Sequence, residues 1–496
     1  MANWKSRPLC ERGESVTENR INRRIWAGID ERRLSVLVHS LFSAWMLSFL
    51  FEGQILYSLA GSYKIDPAAM VFCGVAANFA GLLLCGLFIK TKKAAKRLFL
   101  CSYLFFIAIS IIFFFPLSVF WTVGIIAGSF LAGGCVAAWA FYLKSGTPKN
   151  ERIKTVADML ILSNVLMILC NMAAIHLSPH AGLALSVLML LCALVLALKL
   201  PEDHGAASTT SSERRENSAS VTNLLVLLCL FITIITINSG LMYRVVIPAF
   251  ARLEWLTSWY WALPYIAALF IMRNLPRKIN RAYILYVAIA MIGLSFVGFM
   301  GLGRGVVSYI VINTLMLGAC GVYDLFWWSI LGEMLELHKN PAKILGVGLS
   351  ANVLGVLLGG LMGSAVTFSD AHSLNPALLA LAVVCVTLVL LPPLHKHLSS
   401  LLKGHAYLSE FSELPVQEQT GQIERAAKYG NLSERESQVA ALLLQGKTYK
   451  TIAGELTISE NTVKYYVKSI YSKFGIQSGA ELINIVLKKE DAPPPA

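Results

Sequence analysis

The stretch LSERESQVAALLLQGKTYKTIAGELTISENTVKYYVKSIYSKFGIQSGAELINIVLK, Leu432 to Lys488, decides how the rest of the chain is read. It is a polar, helix-patterned run at the end of a chain that is otherwise mostly apolar. Three short amphipathic segments stand in it. The first is Glu434 to Gln445, stopped at Gly446, and the second is Tyr449 to Leu456. The third starts at Ser459, whose hydroxyl can accept an orphan backbone N–H at a helix start. On this third segment Val463, Val467, Ile470 and Phe474 form one apolar stripe at helical spacing. Asn461, Lys464, Tyr465 and Lys468 fall on another face, at i, i+3, i+4 and i+7. A short helix, a tight turn and a helix with a basic outer face is the arrangement that lays a recognition helix in the major groove of DNA. The plainer alternative is a small helical bundle used for protein contacts.

The motif is longer than its third helix. Leu432-Ser433-Glu434-Arg435-Glu436, Gly446-Lys447-Thr448, Ile452-Ala453-x-Glu455-Leu456, Ile458-Ser459-x-Asn461-Thr462-Val463-Lys464 and Ile470-Tyr471-x-Lys473-Phe474-Gly475 follow one another at fixed spacing. The stretch resembles the LuxR-type helix-turn-helix domain. That resemblance implies a four-helix DNA-binding domain over residues 430–490, with Thr462, Val463 and Lys464 in the part that enters the groove. Val463 also lies on the apolar stripe, so its role stays open. Lys447, Lys450 and Lys473 are expected at phosphates, since phosphate contacts position a protein while base contacts specify sequence. The last helix, Gly479 to Lys488, would make a dimer contact through Leu482, Ile485 and Val486. The implied partners are double-stranded promoter DNA, a second copy of the chain and RNA polymerase.

Composition sets the rest of the chain apart. With 56% hydrophobic and 14% charged residues in 496, it is too apolar for a soluble protein of this length. Twelve apolar runs, six between 36 and 200 and six between 221 and 394, the eighth of them over about 256–272, have the lengths of transmembrane helices. The net charge of +13 then has a second source, the basic bias of cytoplasmic membrane loops. With the amino terminus inside, only Lys64, Arg244, Arg252 and Arg304 among the basic residues before Arg425 fall on the outer side. This predicts an even number of spans, both termini cytoplasmic, and a multi-pass protein of a bacterial plasma membrane with its DNA-reading module on the side of the DNA. Nine of the ten cysteines lie inside apolar runs and Cys10 in the amino-terminal tail, with no metal-ligand spacing. Residues 1–35, rich in arginine, lack the apolar core of a signal peptide.

The two apolar groups echo each other. Trp139-Ala140-Phe141 recurs as Trp327-Trp328-Ser329, and Asn164-Val165-Leu166 as Asn352-Val353-Leu354, both at an offset of 188; Gly53 has Gly240. Six plus six spans around a long middle loop resemble the parallel repeat of the major facilitator architecture. The loop Lys90-Thr91-Lys92-Lys93-Ala94-Ala95-Lys96-Arg97 lacks the aspartate and glycines usual there, as expected of a sensor derived from a carrier. The expected fold is therefore all-α: a twelve-helix transmembrane bundle followed by the four-helix domain. In chain order it comprises a basic tail (1–35), half 1 (36–200), a cytoplasmic loop (201–220), half 2 (221–394), a linker (395–429), the DNA-binding domain (430–490) and a disordered tail (491–496). The linker is either flexible or laid on the membrane surface through Leu398, Leu401, Leu402 and Tyr407.

Charged groups inside spans are costly and need a partner or a water-filled cavity. Glu52, followed by Gln54, and Arg244, after Tyr243, lie in the first and seventh spans. The facilitator architecture sets these two spans across the cavity from each other. Glu52 and Arg244 either pair as helix-helix glue or receive a polar ligand. Asp324 precedes Trp327 and Trp328 in the tenth span, and Trp139 holds the related place in the first half. Among Glu254 to Tyr265, an aromatic belt at the membrane surface is one reading; Trp259, Trp261 or Tyr265 turning inward onto a planar ligand is the other. No Walker loop, metal spacing, kinase signature or other catalytic constellation is present, so neither enzymatic activity nor a cofactor is expected. The composite reading is a membrane-bound transcription regulator that senses an unknown small molecule. A working carrier with a regulatory tail, and a DNA-binding module on a passive anchor, are the alternatives.

Overall fold

The computed structural model describes residues 30–51, 53–148, 151–202, 218–274, 281–368, 376–412, 430–444, 449–476 and 482. These form two compact units, one comprising Met1–His204 with Leu228–Val389, the other Gly205–Leu227 with Leu390–Ala496. Among the described residues every regular element is helical.

The first half runs as α1 (Glu31–Trp45), α2 (Gln54–Ser62), α3 (Ala68–Phe88), α4 (Lys92–Ile112), α5 (Val119–Ala138), α6 (Ala140–Gly146), α7 (Arg152–His176) and α8 (Pro179–Ala197). The second runs as α9 (Ser218–Leu241), α10 (Glu254–Thr257), α11 (Leu263–Arg273), α12 (Arg281–Gly301), α13 (Val306–Met334), α14 (Pro341–Phe368) and α15 (Pro376–Ser412). Eleven helical segments among the described residues are long and apolar enough to cross a bilayer.

The eighth span differs from the twelve-run expectation. Where one apolar helix was expected over 256–272, the chain breaks into a 3₁₀ turn at Pro248–Leu253, then α10, a further turn at Tyr260–Ala262, and α11. Helix α11 alone covers about 16 Å of a hydrocarbon core of about 30 Å. Irregular backbone at such depth has to be buried in protein or line a wet cavity, and Ser258 and Ala262 are both fully buried. The first span of each half is also modified. Phe51 N–H donates to Met46 C=O and Ile247 N–H to Met242 C=O, so each helix widens by one π turn at its carboxy-terminal part.

The halves meet through α3 against α14 and α7 against α11 and α13. Small residues allow the close approach of apolar helices that lack a hydrophobic drive to associate in lipid. A Cβ on Gly346 would stand 2.3 Å from the carbonyl oxygen of Leu82, so only glycine lets α14 lie this close to α3. At the end carrying the basic loops, ion pairs staple the bundle. Arg152, with 3% of its side chain exposed, donates to Gly332 C=O (2.9 Å) and to Glu336 (2.5 Å). Arg273 pairs with Asp158 at 2.5 Å, Lys92 with Glu31 at 2.8 Å, and Arg32 with Glu151. Asn340 adds hydrogen bonds to Gly86 and Ile89 C=O.

Helix α15 does not stop at Leu394. It continues through Pro392 and Pro393 to Ser412, so the first part of the expected linker is helical. In the carboxy-terminal domain α16 (Glu434–Leu444), α17 (Tyr449–Glu455) and α18 (Glu460–Phe474) fall where the periodicity predicts them. Val439, Leu444, Ile452, Val463, Val467, Ile470 and Leu482 close its core.

Candidate DNA-binding face and membrane ligand site

The carboxy-terminal face begins with local rules. Ser433 and Glu436 form a capping box on α16: Glu436 N–H donates to Ser433 Oγ, and Ser433 N–H donates to the Glu436 carboxylate at 2.7 Å. Helix α18 starts at Ser459, whose Oγ accepts from Thr462 N–H at 3.1 Å. It ends at Gly475 in the left-handed region, with Ile476 N–H donating back to Tyr471 C=O at 2.9 Å. The turn between α17 and α18 closes in the same way, with Ile458 N–H donating to Ala453 C=O at 2.9 Å. There the left-handed position is Thr457, φ 54°, a β-branched residue where glycine is the unstrained choice.

With α18 held at both ends, Asn461, Lys464, Tyr465 and Lys468 stand exposed along one face. Among the described residues neither Lys464 nor Lys468 has a carboxylate within 4 Å. Tyr465 is 69% exposed, with its ring against Tyr466. A shallow groove of about 450 Å³ flanks the face, walled by Tyr449, Val467 and Tyr471 with Lys464 and Lys468 at its rim.

Other expected contacts lie elsewhere. Val463 is fully buried in the domain core, in keeping with its place on the apolar stripe. Thr462 is half-buried, and its hydroxyl shares a hydrogen bond with Ser459. Lys473 pairs with Glu436 (2.6 Å) and donates to Asn431 C=O (3.0 Å) while staying part-exposed at the domain surface. Leu482 is also in the domain core and not free for a dimer contact. Lys447, Ile485 and Val486 lie outside the described residues, as does the side chain of Lys450.

Sequence reading missed Glu436 as the hub of the domain, although Ser-x-x-Glu was its signal. Its carboxylate accepts from Ser433 N–H, Ser469 Oγ and Lys473 Nζ. Burial by itself would raise its pKa. The hydrogen bonds from Lys473, Ser469 and Ser433 outweigh that and hold it at about 2.

In the membrane unit the expected residues do not form one cluster. Glu52 lies outside the described residues. Arg244 is exposed and its Nε donates to Ser364 Oγ at 2.9 Å. Gln54 is half-buried, its N–H donating to Asn171 Oδ1, and Tyr243 is half-buried beside Arg244. The remaining four come closer together. Tyr265, from the aromatic segment, does turn inward and donates its hydroxyl to Asp324 at 2.6 Å. Trp328, one turn on from Asp324, meets Trp139 of the other half edge-on, ring centroids 6.0 Å apart. Trp139 in turn stacks on His39 at 4.7 Å and 11°, a buried histidine the sequence reading passed over. Trp327 stacks on Tyr323. Among the described residues, the indole N–H groups of Trp139 and Trp327, the Tyr323 hydroxyl and His39 Nδ1 are buried without a hydrogen-bond partner.

The paired apolar halves define a multi-pass membrane protein of the major facilitator fold. The bundle is similar to the human organic anion transporter MFSD10 (TM-score 0.55, 13% identity, 73% of this chain and 98% of that one). It is also similar to the proton:xylose symporter XylE (TM-score 0.56, 12% identity, 73% and 94%). Residues 430–486 match the family of bacterial regulatory proteins, luxR family, and the carboxy-terminal domain is a LuxR-type helix-turn-helix DNA-binding domain. It is 34% identical over 89 residues to the transcriptional activator protein ExaE of Pseudomonas putida, covering 18% of this chain and 42% of that protein. With the spore germination protein GerE of Bacillus subtilis (strain 168) it shares 39% identity over 57 residues, 12% of this chain and 77% of GerE. The chain thus spans less than half of ExaE.

Proposed function

We propose that the protein is a one-component transcription regulator held in a bacterial plasma membrane. In this reading the six-plus-six bundle binds a small molecule and the helix-turn-helix domain binds promoter DNA. The observation that most supports it is the uncompensated face Asn461, Lys464, Tyr465 and Lys468 on a capped helix, carried by a chain whose other unit has a transporter fold. Asn461 and Lys464 suit base edges, Lys468 and Tyr465 the groove rim, and Lys447 and Lys450 the phosphates. The basic loops support a topology with both termini in the cytoplasm. A homodimer reads an inverted repeat, and RNA polymerase is the further partner.

Lys464→Ala tests the reading face. Promoter binding by the full chain should weaken about tenfold to a hundredfold with membrane insertion unchanged; wild-type affinity would remove Lys464 from the face. Replacing the spans with an unrelated anchor tests sensing, because unchanged induction would leave the bundle as an anchor only.

A further inference from the structure

We propose that the membrane unit recognises a monovalent organic cation, an amine or quaternary ammonium with an apolar or aromatic body, with Asp324 as its counter-ion. The inference rests on the ligand-binding reading of the bundle and names the ligand's class.

Asp324 differs from the ion-paired acidic groups of the bundle and, unlike Asp66 at a helix start, lies deep within a span. Glu31, Glu151, Asp158 and Glu336 each hold a lysine or arginine. Asp324 has the Tyr265 hydroxyl and, among the described residues, no cation within 4 Å. It stands eighteen residues into α13, about 27 Å along the helix, far from either end of a span. An ionised carboxylate there is costly without a positive partner, and one phenol hydrogen bond satisfies only part of its acceptor capacity. The cations that could have served are committed elsewhere: Arg244 to Ser364, Arg273 to Asp158, and Arg152 to Glu336. Asp324 is nevertheless only half-buried in the bundle.

The surroundings select the kind of cation. Trp328 lies one turn further along the same helix and brings Trp139 of the other half beside it, followed by His39. Aromatic faces attract ammonium groups, most strongly where water is excluded. A small inorganic cation would instead need several oxygen ligands, and among the described residues no second carboxylate lies in a group that could hold a metal. An anion would meet Asp324 as a like charge.

The test uses the full chain in nanodiscs of zwitterionic phosphatidylcholine and three probes: benzyltrimethylammonium, its uncharged isostere neopentylbenzene, and phenylacetate. Tryptophan fluorescence is titrated with each. Only the cation should give a saturable change, weakened at least about tenfold in Asp324→Asn, an isostere that still accepts from Tyr265. Should that variant fail to fold, Trp328→Leu leaves the carboxylate in place and should weaken the cation about fivefold. Absence of binding to the wild type, equal binding of the uncharged isostere, or unchanged affinity in a folded Asp324→Asn would overturn the proposal. A reporter on a promoter recovered by genome-wide mapping separates the two readings. Cation binding without a promoter response keeps the site and ends the sensor reading. A response to another compound that persists in Asp324→Asn does the reverse.

Discussion

Glu436→Gln should loosen the DNA-binding domain without touching its outer face. The carboxylate accepts three hydrogen bonds, from Ser433 N–H at 2.7 Å, Ser469 Oγ at 2.6 Å and Lys473 Nζ at 2.6 Å. Glutamine offers one acceptor oxygen, and its amide N–H₂ would face a donor. The lowered pKa scales the effect. Between the ordinary 4.5 and about 2 lies at most about 3 kcal/mol of folded-state preference for the ionised form. Lys473 keeps 37% of its side chain exposed, so solvent screening reduces this to about 2 kcal/mol. Because the folded pKa is depressed, this stability is present above pH 4.5 and is lost as pH falls toward 2. Amide hydrogen exchange on the full chain at neutral pH should show protection in α16 and α18 falling about thirtyfold in the variant. The difference between wild type and variant should shrink as pH drops through that window. Equal protection at neutral pH, or a difference that persists undiminished near pH 2, would refute the assignment of Glu436 as the hub.

The other predictions are simpler. Thr457→Gly relieves the left-handed position of the interhelical turn and should raise protection of α17 and α18 by the equivalent of about 1 kcal/mol; a loss of protection would mean that the threonine side chain does more than tolerate the strain. Lys473→Ala should weaken promoter binding only as far as it destabilises the domain, whereas Lys464→Ala should weaken binding with protection intact. Glu336→Gln removes the carboxylate that pairs with Arg152 and Lys144 at the basic end of the bundle, so maleimide labelling of the buried Cys85, resolved by mass spectrometry, should speed up about tenfold. An unchanged rate would mean that these pairs do not hold that end shut.

What could be read in advance was local or periodic. Ser433 and Glu436, and Ser459 with the start of α18, are caps within three residues of their partners, and the stripe Val463, Val467 and Ile470 follows from helical geometry. What escaped depends on distance along the chain. Lys473 looked like any exposed lysine because its partner is 37 residues away, and Tyr265 reaches Asp324 across 59. The eighth span misled for another reason. Hydropathy reports that 256–272 is apolar, but tryptophan and tyrosine score alike in a helix and in the irregular turns observed there. Pro392 and Pro393 invited a break in α15 because proline removes a backbone donor, yet the helix runs through them to Ser412.

Helix α13 carries both Asp324 and, just past its end, Glu336, the acidic partner of Arg152. The two are twelve residues apart, about 18 Å of helix, so an occupant at one and the ion pairs at the other act on a single element. Energetics limits how they can be coupled. Stripping Arg152 of its partner while it stays buried costs about 3–5 kcal/mol. A ligand with a hundredfold preference for one state supplies only about 2.7 kcal/mol. Ligand binding alone therefore falls short of breaking a buried Arg152–Glu336 pair in a closed bundle. The balance changes if the same movement lets water reach Arg152, because rehydration removes most of the cost. A switch built on these residues must open the basic end as a unit, with α13 moving against α7 and solvent following, rather than trade one side-chain contact for another.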